Sequence, residues 1–289
     1  MFPILKRSGI HKLLPRRDED SHKGDNGRVL IIGGSQDYFG APVFAGLGSL
    51  YSGADLTYIL VPECNFDVTR SFYPDFIVRK YPGFFLNPRA IDEAVHLAEQ
   101  CDAVLIGPGI GSSEEVFNTI IKILARIHRP VILDADALNP TVMESVPVAL
   151  PSLTITPHHG EMERLLERSI HELDDETREG VIGDFVKKTS ATVLLKGQMD
   201  MVVGLEYGSG EVIGAYNVTG HPGMTVGGTG DVLAGIVTSM IAQGVKPFPA
   251  CSIAAFANGL SGENVARQKG NCFSATDVAL ELPYVIAGL

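Results

Sequence analysis

No apolar run in this sequence approaches the roughly 20 residues that a helix needs to cross a bilayer. The opening Met1-Phe2-Pro3-Ile4-Leu5-Lys6-Arg7 is too short and too broken for a secretory signal. Cysteine is scarce. Its four thiols (Cys64, Cys101, Cys251 and Cys272) are scattered, with no CxxC pair and no metal-ligand spacing. That argues against a disulfide framework and for a reducing, cytoplasmic setting. Basic charge is also short. Lys and Arg number 23 against 34 Asp and Glu, a formal net charge of −11, which speaks against nucleic acid or an anionic membrane as the main partner. The Gly-Lys-Ser/Thr of a P-loop is missing, and so is the GxGxxG of a dinucleotide fingerprint. So are linkers, low-complexity tracts and internal repeats.

What is present is a chain of 289 residues, 45% hydrophobic, long enough for one large α/β domain. Short apolar runs recur at Val29–Ile32, Leu56–Leu60, Ala103–Ile106, Val131–Leu133, Leu153–Ile155 and Thr192–Leu195. Continuous rather than alternating runs mark strands buried on both faces. Helical stretches at about 41–52, 90–99, 113–128, 161–169 and 178–189 alternate with them, which predicts a mainly parallel sheet with helices on both sides. Met201–Val203 and Glu211–Tyr216 flank Gly208-Ser209-Gly210 and read as an antiparallel edge hairpin. Helices follow at about 229–243, 249–268 and 275–287, the last capped by Ser274 with Asp277 three residues on. Residues 1–22 read as a polar lead-in with a short helix near Ile10–Leu14, and residues 23–289 as one domain.

In such sheets the ligand lies at the carboxyl ends of the strands, where the unusual residues gather. Gly227-Gly228-Thr229-Gly230-Asp231 opens a helix. Glycines allow close backbone approach to an anion, and the free N–H groups of the helix start favour phosphate. Asp231 there is either a helix cap or a general base taking a proton from a hydroxyl being phosphorylated. Gly33-Gly34-Ser35 and Gly107-Pro108-Gly109-Ile110-Gly111 are glycine turns, either tight or touching ligand. Asp134 and Asp136 either orient a hydrated magnesium ion or bond a turn. Thr156-Pro157-His158-His159-Gly160-Glu161 invites a zinc reading, but adjacent histidines diverge and no third ligand is suitably spaced. A histidine on ligand, with Glu161 on a magnesium-bound water, suits it better. Lys196-Gly197-Gln198-Met199-Asp200 reads as a phosphate-facing lysine followed by an adenine-admitting glycine, or as a solvated turn. Asn217 through Met224 reads as a loop covering substrate.

This order of motifs, spread over residues 23–265, resembles the NAD(P)H-hydrate dehydratases, the carbohydrate-kinase-like half of YjeF-type proteins. The resemblance implies a ribokinase-like three-layer α/β/α fold and repair of hydrated NADH and NADPH (the S epimer) at the expense of ADP or ATP, with ADP expected. A nucleotide phosphorylates the ring hydroxyl, and phosphate then leaves. The resemblance implies Asp231 as the base and Gly228, Thr229 and Gly230 as the anion hole. It implies Ala41, Gly109, His158 and Asn217 on the hydrated dinucleotide, and Lys196, Gly197, Gln198, Met199, Asp200 and Gly230 on the adenine nucleotide. It also implies Mg2+ with Glu161 reached through water, and a homotetramer with a seam near helix 41–52. No epimerase domain is seen in the sequence, so any epimerase is expected as a separate protein. The alternative is a kinase of a small alcohol such as hydroxymethylpyrimidine or hydroxyethylthiazole, since the phosphorylation step is shared.

Overall fold

A computed structural model describes residues 1–148 and 150–289. The apolar runs form the sheet. β1 (Arg28–Ile32), β2 (Leu56–Pro62), β3 (Phe76–Tyr81), β4 (Ala103–Ile106), β5 (Val131–Leu133), β6 (Leu153–Ile155) and β7 (Thr192–Leu195) run parallel, and β8 (Asp200–Leu205) and β9 (Val212–Asn217) antiparallel, in the order β3-β2-β1-β4-β5-β6-β7-β8-β9. β1 shows why its run is unbroken: Leu30 and Ile32 enter one core while Val29 and Ile31 enter the other. The first core is closed by α4 (Ile91–Gln100), α5 (Glu114–Leu124), α6 (Pro140–Glu144), α7 (His159–Leu166) and α8 (Asp175–Thr189). On the other face lie α1 (Arg7–Leu13), α2 (Ala41–Tyr51), α3 (Glu63–Phe72), α9 (Thr229–Ala242), α10 (Pro247–Lys269) and α11 (Ala275–Gly288). Ser274 and Asp277 form the expected reciprocal cap of α11.

Three features go beyond the sequence reading. α3 and β3 are absent from the sequence reading because neither is a continuous apolar run. β3 is an edge strand carrying exposed Arg79 and Lys80, a pattern that discourages further strand pairing. The first residues, read as a polar lead-in, also pair with the sheet. Ile4 bridges Tyr216 beside β9, Leu5 N–H donates to Tyr216 O at 2.8 Å, and Tyr216 N–H donates to Pro3 O at 2.8 Å. Ile10 is fully buried. Finally, α2 packs within the chain against α9 and α11, which bury most of its residues. A Cβ at Gly48 would lie 2.1 Å from Val232 O, and one at Gly235 would lie 2.0 Å from Ala45 O. These two glycines let α2 and α9 approach backbone to backbone, which sets the start of α9 over the start of α2.

Candidate active site

Strand order reverses between β1 and β4, and such a switch point opens a crevice at the carboxyl ends of the strands. The loops 33–35 and 107–111 stand on its two sides. Gly34 N–H donates to Pro108 O at 2.8 Å and ties them together. At Gly107 φ is +137°, and a Cβ would sit 1.8 Å from Asp134 O, so only glycine fits. A Cβ at Gly109 would lie 3.1 Å from the Ala41 Cβ and 2.7 Å from the Tyr38 Cβ. Ala41, at the start of α2, and Gly109 therefore share one surface.

β5, β6 and β7 supply charge. Asp134 is buried and accepts from Thr156 Oγ1 at 2.7 Å and from Lys196 Nζ at 2.8 Å. Asp136 accepts the Gly111 N–H at 2.9 Å. One acid thus holds a lysine and the other braces the glycine loop. Lys196 is itself largely buried, with Glu161 4.0 Å from its ammonium. Burial pulls its affinity for a proton down, but Asp134, Glu161 and Asp231 outweigh this and hold it above the usual lysine value.

His158 starts α7 as a capping box. Its Nδ1 accepts the Glu161 N–H at 3.1 Å, and Glu161 Oε2 accepts the His158 N–H at 2.8 Å. Burial and the Lys196 charge hold His158 below its ordinary value, so its 3.3 Å contact with Glu161 Oε1 is a neutral one. Burial pushes Glu161 up. His159 turns away to Lys196 O at 3.1 Å, as adjacency requires. Among the described residues no group of three or more His, Cys, Asp or Glu is arranged to hold a metal. The donors present fit a hydrated Mg2+ held mainly by phosphate, which keeps its own waters.

The start of α9 faces this cluster. Gly228, with φ +98°, is its N-cap and offers no side chain; a Cβ there would meet the Phe44 ring at 2.6 Å. The Thr229 hydroxyl donates inward to Met224 O at 2.8 Å, so Thr229 contributes backbone alone. Lys196 Nζ lies 3.4 Å from where a Gly230 Cβ would be. The uncapped N–H groups and the ammonium thus face the same space, an arrangement suited to phosphate. Asp231 follows in the first turn. Burial, with Asp134, Asp136 and Glu161 adding and Lys196 opposing, pushes its carboxyl up to about 8.

Beside it opens a cavity of about 670 Å³, lined by Lys196, Gly197, Gln198 and Asp200 on one wall and Thr229 and Gly230 on the other, with Asn258 and the segment 218–225 closing it. Met199, implied on the adenine nucleotide, does not line it and packs against the core. Asn217 is buried at the end of β9; its amide donates to Asp200 Oδ2 and Ala255 O, each at 3.1 Å. It braces Asp200 and the covering loop. Asn258 escaped the sequence reading, although a polar amide within the apolar stretch of α10 was a signal for it. The Asp134–Lys196 pair also escaped, because 62 residues separate the partners.

A profile of the NAD(P)H-hydrate dehydratase family matches residues 29–284. The bifunctional NAD(P)H-hydrate repair enzyme of Methanothermobacter thermautotrophicus is 39% identical over 279 residues, covering 94% of this chain but 52% of that protein. The chain therefore spans about half the length of several curated relatives. The ADP-dependent (S)-NAD(P)H-hydrate dehydratase of Cenarchaeum symbiosum is 34% identical over 98% of this chain and 96% of its own length. Among solved structures, a ribokinase-like superfamily protein from Enterococcus faecalis superimposes with a TM-score of 0.85 at 26% identity, over 99% of this chain and 96% of that one. The ADP/ATP-dependent NAD(P)H-hydrate dehydratase of Bacillus subtilis, co-crystallized with ATP/Mg2+, gives 0.84 at 27% identity, over 98% and 97%. With its ribokinase-like sheet and its acid at an open helix start, this chain belongs to the NAD(P)H-hydrate dehydratase family.

Proposed function

We propose that the protein dehydrates the S epimer of hydrated NADH and NADPH, using ADP or ATP as phosphoryl donor. The observation that carries this is Asp231, an acid held at a proton affinity near neutrality beside an uncapped helix start and a fixed ammonium. Asp231 takes the proton from the hydroxyl at ring carbon 6 as that oxygen bonds to the terminal phosphorus of the donor. The bond from that phosphorus to the donor's bridging oxygen breaks, so ADP leaves as AMP and ATP as ADP. The ring nitrogen lone pair then expels phosphate, and loss of a proton from the neighbouring ring carbon restores the dihydropyridine. Gly228, Thr229 and Gly230 offer backbone N–H groups to the moving phosphoryl group, and Lys196 matches its charge. Ala41, Gly109 and His158 carry the substrate. Gly197, Gln198 and Asp200 hold the adenine nucleotide. Mg2+ carried by the nucleotide supplies charge screening, with Glu161 reaching it through water.

The full-length relative named ADP-dependent supports ADP as the preferred donor. Four free thiols suit a reducing cytoplasm, and a homotetramer is carried over from the family. The test is to add hydrated NADH with ADP, then with ATP, and follow absorbance of reduced nicotinamide. A steady rise that needs nucleotide is expected. No rise, with a stable phosphate ester formed from a small alcohol instead, makes the protein a kinase.

A further inference from the structure

One group of exposed side chains is left unused by the chemistry above. Tyr38, Phe84 and Phe85 are 61%, 58% and 43% exposed, in a chain where aromatics are only 7% of residues. Tyr38 lies on the loop after β1, and the two phenylalanines lie on the loop after β3. Gln36 N–H donates to Phe84 O at 2.8 Å and joins the loops. Both loops press on the glycine turn after β4. The Tyr38 Cβ is 2.7 Å from where a Gly109 Cβ would be, and the Phe85 ring is 3.5 Å from the same point at Gly111. The patch is therefore continuous with the Ala41–Gly109 surface.

Sheet order places this patch. The charged groups at Asp134 and Lys196 follow β5 and β7, and the 670 Å³ cavity lies beyond them toward β8 and β9. The aromatic loops follow β1 and β3, on the other side of β4. A dinucleotide whose reacting ring is at Asp231 and whose middle rests on Gly109 has its other half directed over β1–β3. The half of the crevice near β7–β9 is taken by the donor nucleotide. A flat purine on exposed aromatic faces is a favourable pairing.

We infer that Tyr38, Phe84 and Phe85 form a stacking platform for the adenosine half of the hydrated dinucleotide, separate from the cavity that holds the donor's adenine. The identity of the ligand rests on the dehydratase reading. The platform makes the enzyme select dinucleotide over mononucleotide substrates, with the ring chemistry left to Asp231.

The test uses the full chain with ADP saturating the donor cavity, and NADH and reduced nicotinamide mononucleotide as probes followed by their fluorescence. Phe85→Ala and Tyr38→Ala are expected to weaken NADH binding by about tenfold each, while mononucleotide affinity stays within about twofold. Phe85→Tyr keeps NADH affinity. Equal losses for both probes, or no loss for NADH, overturn the inference. So does light scattering that shows the variants falling to a smaller oligomer with NADH affinity intact, because the patch is then a seam between copies. Turnover of hydrated NADH is measured in parallel. A wild type that never turns over, but whose variants lose NADH selectively, sinks the dehydratase reading and keeps the platform.

Discussion

Asp231 is the residue on which rate and stability conflict. Its carboxyl, pushed up to about 8 by burial and then by Asp134, must lose its proton to act as a base. The kcat/KM of the wild type is expected to rise with pH and level off above about 8. Asp231→Asn is expected to lower kcat by about a thousandfold while ADP still binds, as read by calorimetry. Stability runs the other way. The folded group keeps its proton from about pH 4 to about 8, where the unfolded group has lost it, so its contribution falls as pH rises through the folded value. The Asn variant is thus expected to melt above the wild type at pH 9, with the gap closing at low pH. Lys196 behaves oppositely. Lys196→Met strands the buried Asp134 and is expected to cost about 3 kcal/mol in denaturant unfolding. Adding Asp134→Asn is expected to restore most of that stability without restoring turnover.

At the scale of elements, the α2–α9 contact sets the site. Ala41 begins one helix and Asp231 lies in the first turn of the other, and the helices touch through Gly48 and Gly235. Gly235→Ala places a Cβ against the Ala45 carbonyl and is expected to cost about 3 kcal/mol, with kcat and KM both worsened because the two halves of the site separate. Gly180→Ala is its control. Nothing lies within 4 Å of a Cβ there, so the gain in helix preference is expected to add about 0.5–1 kcal/mol at unchanged activity. Legibility at this scale follows burial. Strands buried on both faces announce themselves as apolar runs, and Ser274 announces a helix start. β3, broken by Arg79 and Lys80 at an open edge, and α3, largely polar, gave no such signal. The packing of α2 was hidden for a related reason: an apolar glycine-bearing helix looks the same in sequence whether it packs on another chain or on its own α9.

Across the whole molecule, the site is assembled from loops after β1, β4, β5, β6 and β7 and from the start of α9. Sequence shows such loops because glycine, proline and acids interrupt apolar runs at the same end of each strand. It does not show which of them meet. Asp134 and Asp136 look alike in the chain, yet one locks Lys196 and the other braces Gly111. Asn217 looks like a ligand group and is spent on Asp200. The cavity proposed for the donor joins segments near 196, 218, 229 and 258, so only the folded state contains it. A ligand that binds the folded state alone stabilises it by mass action, about 2.7 kcal/mol at a hundred times its dissociation constant. For a chain of this size that amounts to roughly 4–5 °C in Tm. ADP at that excess is expected to produce such a shift, and adenosine a much smaller one, because the phosphates meet Lys196 and the N–H groups of α9. In Lys196→Met the ADP shift is expected to shrink to the adenosine level. An ADP shift unchanged by that substitution would place the phosphates elsewhere and separate the cavity from Asp231.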